Sequence, residues 1–369
     1  MAGVIDLLRD LIAIDSVNPG LVRGGAGERA IAEDIAARLK KANIDAELRE
    51  VEPGRPNVIA FIEGRERGPS LMFCGHTDTV GVEGMDAPFD PVIRENRVYG
   101  RGAQDMKAGV ASMLSAAMEI AKRGGPKKGR IVIAAVVDEE YLSVGADALV
   151  KDVRCDAAIV TEPTDLVVGV GHKGWAWVEV TTHGRAAHGS RADEGIDAIV
   201  RMGRVLAALE TLDRSLANGE AHPLLGHPSL HASLIEGGRE LSTYPDRCVL
   251  KLERRTVEGE PSGIALAEVE EILERLRAED PTFRADARQL FERVPYVTPA
   301  NHALPKILAR KTGAMTFWTD AAVLGAAGIP SVVFGPGGAG LHGIEEFAWI
   351  DQVIECRDAL IDAAEKFCA

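Results

Sequence analysis

Two periods of apolar and polar residues alternate along this chain. Recurrence every three to four residues marks amphipathic helices over residues 1–15, 27–42 and 106–122. Between them, short runs rich in β-branched and apolar side chains, at 57–62, 71–73, 131–137 and 157–160, read as strands. The alternation predicts a sheet covered by helices through residues 1–171. The same style returns near the end, with helices expected at 303–310, 320–328 and 350–367 and a strand at 331–334. The middle differs. There the order is strand 175–182, helix 195–212, strands 229–235 and 248–253, helix 261–277 and strand 282–290, which is the β-α-β-β-α-β order of a ferredoxin-like unit. The expected architecture is an α/β domain with helices flanking its sheet, formed by 1–171 and 291–369, with a small α+β domain, 172–290, inserted in it. His172-Lys173-Gly174 reads as the hinge, with the glycine relaxing the backbone.

A length of 369 residues agrees with two domains, since single cores rarely grow that large. Hydrophobic content of 46% with 27% charged residues is that of a globular chain. The net charge of -14, without a basic stripe interleaved with aromatics, argues against a nucleic acid partner. The apolar run at 131–137 is far short of the roughly 20 residues a bilayer span needs, so no membrane partner is expected. The first helix lacks the basic start and continuous apolar stretch of a secretory signal, which points to the cytoplasm. Five cysteines without a CxxC pair fit reduced thiols, and Cys74 reads as a buried strand thiol.

Candidate chemistry lies where the strands end. The run 71–73 leads to His76 and Asp78, 131–137 to Asp138-Glu139-Glu140, 157–160 to Glu162, and 331–334 through a glycine-rich turn to His342; Asp105 opens the helix after Gly100-Arg101-Gly102. Ligands of open α/β sheets bind beyond the carboxyl ends of strands, and histidine with carboxylate suits divalent zinc. Clustered unpaired charges are costly to bury, so this set implies counter-cations and a hydrolytic two-metal site. Asp78, two residues after His76, is placed to take the second ring N–H of that histidine. The adjacent Glu139 and Glu140 face opposite ways on an extended segment, so one can bind metal while the other handles protons.

The blocks Gly75-His76-Thr77-Asp78-Thr79-Val80, Gly100 through Gly109, Glu139-Glu140, Thr161-Glu162-Pro163 and Leu341-His342-Gly343, in that order, resemble the signature of the M20 metallopeptidases. The resemblance covers essentially the whole chain and implies a zinc-peptidase-like fold with a lid domain. It also implies two zinc ions per subunit, with cobalt or manganese as alternatives: His76 and Glu162 on one, Glu140 and His342 on the other, Asp105 bridging both, and Glu139 as general base. Glu162, as a glutamate, is similar to the deacetylase and desuccinylase branch. The implied substrate is an N-acyl amino acid, and the alternative within the family is a dipeptide or peptide.

The same resemblance makes His188, in the block His183 through Ser190, a residue that reaches the substrate carbonyl, and implies a homodimer through the lid. It matches Arg255 with an arginine suited to a substrate carboxylate. Ser242 and Glu253 stand where many members carry asparagine and aspartate, which touches the choice of acyl group or amino acid. The Gly335–Gly340 turn lacks the Lys-Ser/Thr ending of a phosphate loop; it reads as delivering His342 and offering the N–H groups of Gly337 and Gly338 to a carboxylate. His222, His227 and His231, flanked by Pro223 and Pro228, read as an irregular loop rather than a third metal site.

Overall fold

In the computed structural model, which describes residues 3–369, helix α1 (Val4–Ile12) buries Val4, Leu7, Leu8, Leu11 and Ile12, one face of a helical repeat. Residues 1 and 2 of the expected first helix lie outside the described residues. Helix α2 (Arg29–Lys41) buries Ile31, Ala32, Ile35, Ala36 and Leu39 in the same way. Strands β1 (Asp45–Glu52), β2 (Arg55–Glu63) and β3 (Glu66–His76) follow, then the short β4 (Val92–Arg94) and β5 (Arg97–Tyr99). Helix α3 (Ala108–Lys122), β6 (Lys128–Val136), α4 (Val144–Asp152), β7 (Ala157–Val160) and β8 (Val168–His172) complete this stretch.

The chain then builds a second unit from β9 (Gly174–His183), α5 (Ala198–Asn218), β10 (Ser229–Gly237), β11 (Arg247–Thr256), α6 (Ile264–Glu279) and β12 (Arg284–Arg293). Its sheet order, β10-β11-β9-β12, is antiparallel throughout. Val178, Val180, Leu250 and Leu252 on one sheet face meet Met202, Val205, Val269 and Leu273 of the two helices in a separate core. This unit spans His172–Val297 with Thr316–Trp318, so it closes later than residue 290. The reason is that β12 runs to Arg293 and β13 (Tyr296–Val297) follows, while Trp318 donates its indole N–H to the Val294 carbonyl at 3.2 Å. Gly174 departs from the hinge reading. A Cβ there would stand 2.4 Å from both the Arg293 carbonyl and the Pro295 nitrogen, so the glycine permits close backbone approach rather than freedom.

Residues up to Gly171, Thr298–Met315 and Thr319–Ala369 form the first unit. The returning chain adds α7 (Leu304–Leu308), β14 (Thr312–Met315), α8 (Ala321–Ala326), β15 (Ser331–Val333), β16 (Gly338–Ala339), β17 (Phe347–Trp349) and α9 (Ile350–Phe367). The large sheet runs β1-β2-β6-β3-β7-β15-β8, with β14 on β8. It is mixed: β6, β3, β7 and β15 are parallel along that path, and β1, β2 and β8 are antiparallel to their neighbours. Leu71, Phe73, Ile131, Ile133 and Ile159 face a core shared with α1, α2, α3 and α9. Met72, Cys74, Val132 and Val160 on the other face are equally buried, on the side where α4 and α8 pack. Parallel strands need cover on both faces, and they have it. A second small sheet, β16-β17-β5-β4, joins the turn after β5 to the turn before β17. The sheet's parallel centre fixes where the site must be, because β3, β6, β7 and β15 all release the chain at one edge.

Candidate metal centre

The register His76↔Val136 and Cys74↔Val160 brings the ends of β3, β6 and β7 level, so the residues just beyond them converge. His76 is buried at the end of β3, with its Nε2 3.1 Å from Asp105 Oδ1, 3.7 Å from Glu162 Oε1 and 3.9 Å from Glu139 Oε2. His342 Nε2 lies 3.1 Å from Glu140 Oε2 and 3.4 Å from Asp105 Oδ2. Asp105 therefore stands between the two imidazoles, one carboxylate oxygen toward each. Ligand atoms of His76, Glu139 and Glu162, and of His76, Asp105 and Glu140, each fall within 4.8 Å of one another. All five sequence-derived ligand candidates meet here, together with Glu139.

Local backbone serves this convergence. Asp138 takes φ +69 directly after β6, turning the chain so that Glu139 and Glu140 follow at the sheet edge. His342 also sits in the left-handed region, at φ +56, where histidine is tolerated better than a β-branched residue. Asp105 does not begin a helix. It lies in the wide turn Ala103–Lys107 with φ -115 and ψ 99, and α3 starts only at Ala108. An extended residue can turn its carboxylate toward His76 and His342, whereas a helical one would continue along the axis of α3.

Asp78 works differently from the sequence reading. The nearest acceptor to His76 Nδ1 is the Asp78 backbone carbonyl at 3.0 Å, with the carboxylate Oδ1 at 3.5 Å. The Asp78 carboxylate instead accepts the N–H groups of Glu139 at 3.1 Å and Glu140 at 3.2 Å, and the Asn18 amide at 2.7 Å. It thus holds the backbone of the glutamate pair. Behind it, Asn18 also donates to Asp138, and Arg55 donates to Asp138 at 2.8 Å and to both oxygens of the buried Glu28. Neither Asn18 nor Arg55 carries a sequence signal, because their partners are up to 120 residues away.

Electrostatics mark the cluster as short of positive charge. Burial raises the Glu139 and Glu162 carboxyls well above their ordinary range, against the pull of His76. Glu140 is pushed up to about 7 by burial and then by the Asp105 charge. Hydrogen bonds donated to the Asp105 and Glu140 carboxylates hold His342 up at about 10. For His76, burial alone favours the neutral ring, but Glu162, Asp105 and Asp78 outweigh it and raise the pKa. Meanwhile Glu140 Oε1 and Glu162 Oε1 are buried without any hydrogen-bond partner. Orphaned carboxylate oxygens among the buried His76 and the exposed His342 fit divalent cations, which would supply the missing charge and partners.

The substrate-side candidates divide. Gly337 is not available to a ligand through its N–H, which is donated to Gln352 Oε1 at 2.6 Å, and Gly338 is paired with Ala348 between β16 and β17. The Gly337 N–H is thus tied into the fold instead of being presented to a ligand. Within the second unit, Arg254 is fully buried against Glu260 and Glu268, while Arg255, next along β11, is partly exposed and held only at Nε, by Glu253 at 2.6 Å. Glu253 also accepts the Trp177 indole N–H. His188 is exposed, and its Nδ1 accepts the Ser190 N–H at 3.2 Å, so the neutral ring carries its proton on Nε2. The His222 ring caps its own turn, accepting the N–H groups of Leu224 and Leu225. Cys74 is buried, and burial pushes its thiol well up.

Comparison with known proteins extends this picture. The profile of peptidase family M20/M25/M40 matches residues 72–366. An acetylornithine deacetylase of Myxococcus xanthus is 29% identical over 350 residues, covering 90% of each chain. An N-formyl-4-amino-5-aminomethyl-2-methylpyrimidine deformylase of Bacillus subtilis (strain 168) is 26% identical and covers 99% of this chain and 95% of its own. Among solved structures, aminopeptidase PepT of Bacillus cereus ATCC 10987 superposes with a TM-score of 0.81 at 18% identity, over 99% of this chain and 98% of its own. The YXEP protein of Bacillus subtilis, a dinuclear metal binding peptidase, superposes at 0.74 and 18% identity, over 99% and 97%. No helix among the described residues is long and apolar enough to cross a membrane.

Proposed function

The chain belongs to peptidase family M20/M25/M40, whose members here are hydrolases of amide bonds, and from that premise we propose a two-metal amidohydrolase that removes the acyl group from N-acyl amino acids. The observation that carries the reading is the pair of buried, unpartnered oxygens on Glu140 and Glu162 within one ring of ligands. His76 and Glu162 would hold one ion, Glu140 and His342 the other, and Asp105 both. Zinc suits this donor set, with cobalt or manganese as substitutes. Such ions, when bound, would supply Lewis acidity to the scissile carbonyl and acidify a bound water.

Glu139 is the general base. It is half-buried beside the ligand ring yet is not needed to complete either ligand set, and desolvation raises its affinity for the proton it must take from water and return to the leaving amine. Asp78 fixes the Glu139 and Glu140 backbones and so positions the base relative to its neighbouring ligand. His188 presents an Nε2–H donor suited to the developing oxyanion, and Arg255, with its terminal nitrogens uncommitted among the described residues, suits the substrate carboxylate. The outer strand β10 carries the exposed Leu234 and Ile235, a surface consistent with a homodimer formed through the second unit. Five unpaired thiols accord with a cytoplasmic location.

The test is amine release by the zinc-loaded or cobalt-loaded protein from N-acetyl, N-succinyl and N-formyl amino acids and from free dipeptides, with Glu139→Gln as control. Release from blocked amino acids supports the deacylase. Release only from dipeptides moves the substrate to the peptidase side of the family. If Glu139→Gln turns over at the parental rate, the assignment of the base is wrong.

A further inference from the structure

Glu346 makes an unusual set of contacts for a residue remote in sequence from every ligand candidate but one. Its side chain is buried, and one carboxylate grips four donors: the N–H groups of Gln104 at 2.8 Å and Asp105 at 3.0 Å on Oε1, and the Gly102 N–H at 3.0 Å and Arg101 Nη1 at 2.5 Å on Oε2. Its backbone carbonyl accepts a fifth N–H, from Gly100 at 3.1 Å. Arg101 in turn donates to the Gly343 carbonyl, next to His342, and to the Gly81 carbonyl in the segment after β3, each at 3.0 Å. The pairing Phe347↔Tyr99 between β17 and β5 sets these two turns side by side. A single buried ion pair thus ties the turn that carries Asp105 to the turn that carries His342.

We infer that Glu346, through Arg101, is a positioning residue that sets the spacing of Asp105 and His342 and thereby governs occupancy of the ion held by Glu140 and His342. This rests on the two-metal reading above. The asymmetry follows from the contacts. The ion assigned to His76 and Glu162 depends on the clamp through Asp105 alone, whereas the other depends on it through Asp105 and His342 together. Partners that orient ligands from behind are worth roughly 10- to 100-fold in metal affinity, so the second ion should lose affinity on that scale while the first loses distinctly less.

The test is zinc titration by calorimetry of metal-stripped full-length protein, with metal content after dialysis as a second readout, on the parent, Glu346→Gln and Arg101→Lys. Glu346→Gln replaces one acceptor by a donor that faces N–H groups. Arg101→Lys leaves the grip on Gly102, Gln104 and Asp105 intact and removes the planar fork that reaches Gly343. The expected result is two ions in the parent, a selectively weakened second ion in both variants, and recovery of turnover toward the parental rate at high zinc with KM little changed. Equal weakening of both ions in step with a lowered melting temperature would mean that the clamp serves folding only and overturns the inference. So would two parental affinities in either folded variant. A parent that binds fewer than two ions sinks the two-metal reading itself, which is visible before any variant is compared.

Discussion

Gly109→Ala tests the packing that holds two ligand-bearing segments against each other. Gly109 lies in the first turn of α3, and a Cβ built there would stand 1.8 Å from the Thr161 carbonyl oxygen. Real Cβ contacts essentially never fall below 3.0 Å, so at least 1.2 Å of movement is required, the difference between those two distances. Thr161 cannot yield alone, because its N–H and hydroxyl both bond the Cys74 carbonyl two residues before His76. Whichever side moves takes a ligand with it: Glu162 follows Thr161, and Asp105 precedes α3. Functional constellations tolerate about 0.5 Å, so the displacement is more than twice what the site can absorb. Alanine gains about 1 kcal/mol in helix propensity over glycine, while overpacking a rigid backbone contact costs about 1–3 kcal/mol, so the clash wins. The expected outcome is a lower urea midpoint and a fall of at least roughly 100-fold in kcat/KM for amide hydrolysis at saturating zinc. Gly203→Ala is the control. It lies in α5 with nothing within 4 Å of its built Cβ, so it should stabilise by about 0.5–1 kcal/mol. Parental turnover and an unchanged midpoint in Gly109→Ala would refute the argument that α3 and the end of β7 are in contact through this glycine.

Three further outcomes follow from groups away from the ligand ring. Arg55→Met leaves Glu28 and Asp138 buried without their cation, and the loss should be about 3–5 kcal/mol in urea unfolding; a loss under about 1 kcal/mol would show that the pair is not desolvated as the contacts imply. Burial depresses His172 from 6.5 to about 4, so between those values the unfolded chain binds the proton and the folded one does not. Stability is full above pH 6.5 and should fall by about 3 kcal/mol as pH drops toward 4, and His172→Gln should flatten this part of the curve; identical slopes in parent and variant would remove His172 as the cause. Burial raises all five thiols, Cys155 and Cys368 to about 11 and Cys356 to about 12. Ellman's reagent at pH 8 should therefore titrate none of them promptly in the native protein and five after denaturation, and one fast native thiol would contradict the burial of that cysteine.

What could be read from the sequence is what local pattern encodes. The candidate ligands His76, Glu140, Glu162 and His342, and the proposed base Glu139, each follow an apolar run that becomes a strand of the parallel centre, so strand ends located them. Elements with weak patterns escaped. β1 is an outer strand with Ala46 as its one fully buried residue, and its polar sequence carries no strand signal. Helix α4 buries only Gly145, Ala146 and Leu149, too few to show a periodic face. The Gly337 N–H departs from the expected donor role because the acceptor that occupies it, Gln352, lies in α9. The same holds for the backing residues. Asn18 reaches Asp78 across 60 residues and Arg101 reaches Glu346 across 245, and no local pattern reports a contact of that range.

The buried carboxylates around the sheet edge separate into two kinds by what their oxygens accept. Asp78, Asp138, Glu28 and Glu346 are saturated by backbone N–H groups, Asn18, Arg55 and Arg101. Glu140 and Glu162 each keep an oxygen without a hydrogen-bond partner. An unpaired buried acceptor costs about 1–3 kcal/mol, more when charged, and such a cost persists where a ligand removes it. On the proposed two-metal reading the saturated carboxylates serve as scaffold, Glu140 and Glu162 keep an oxygen free for a cation, and Asp105 turns one oxygen toward each imidazole. The same proposal separates Glu346, a framework residue, from Glu162, a candidate ligand, although both are buried glutamates with raised pKa values. It also explains why the sequence, which shows only that both are glutamates, could find the ligands by their place after a strand but could not find the clamp that aims them.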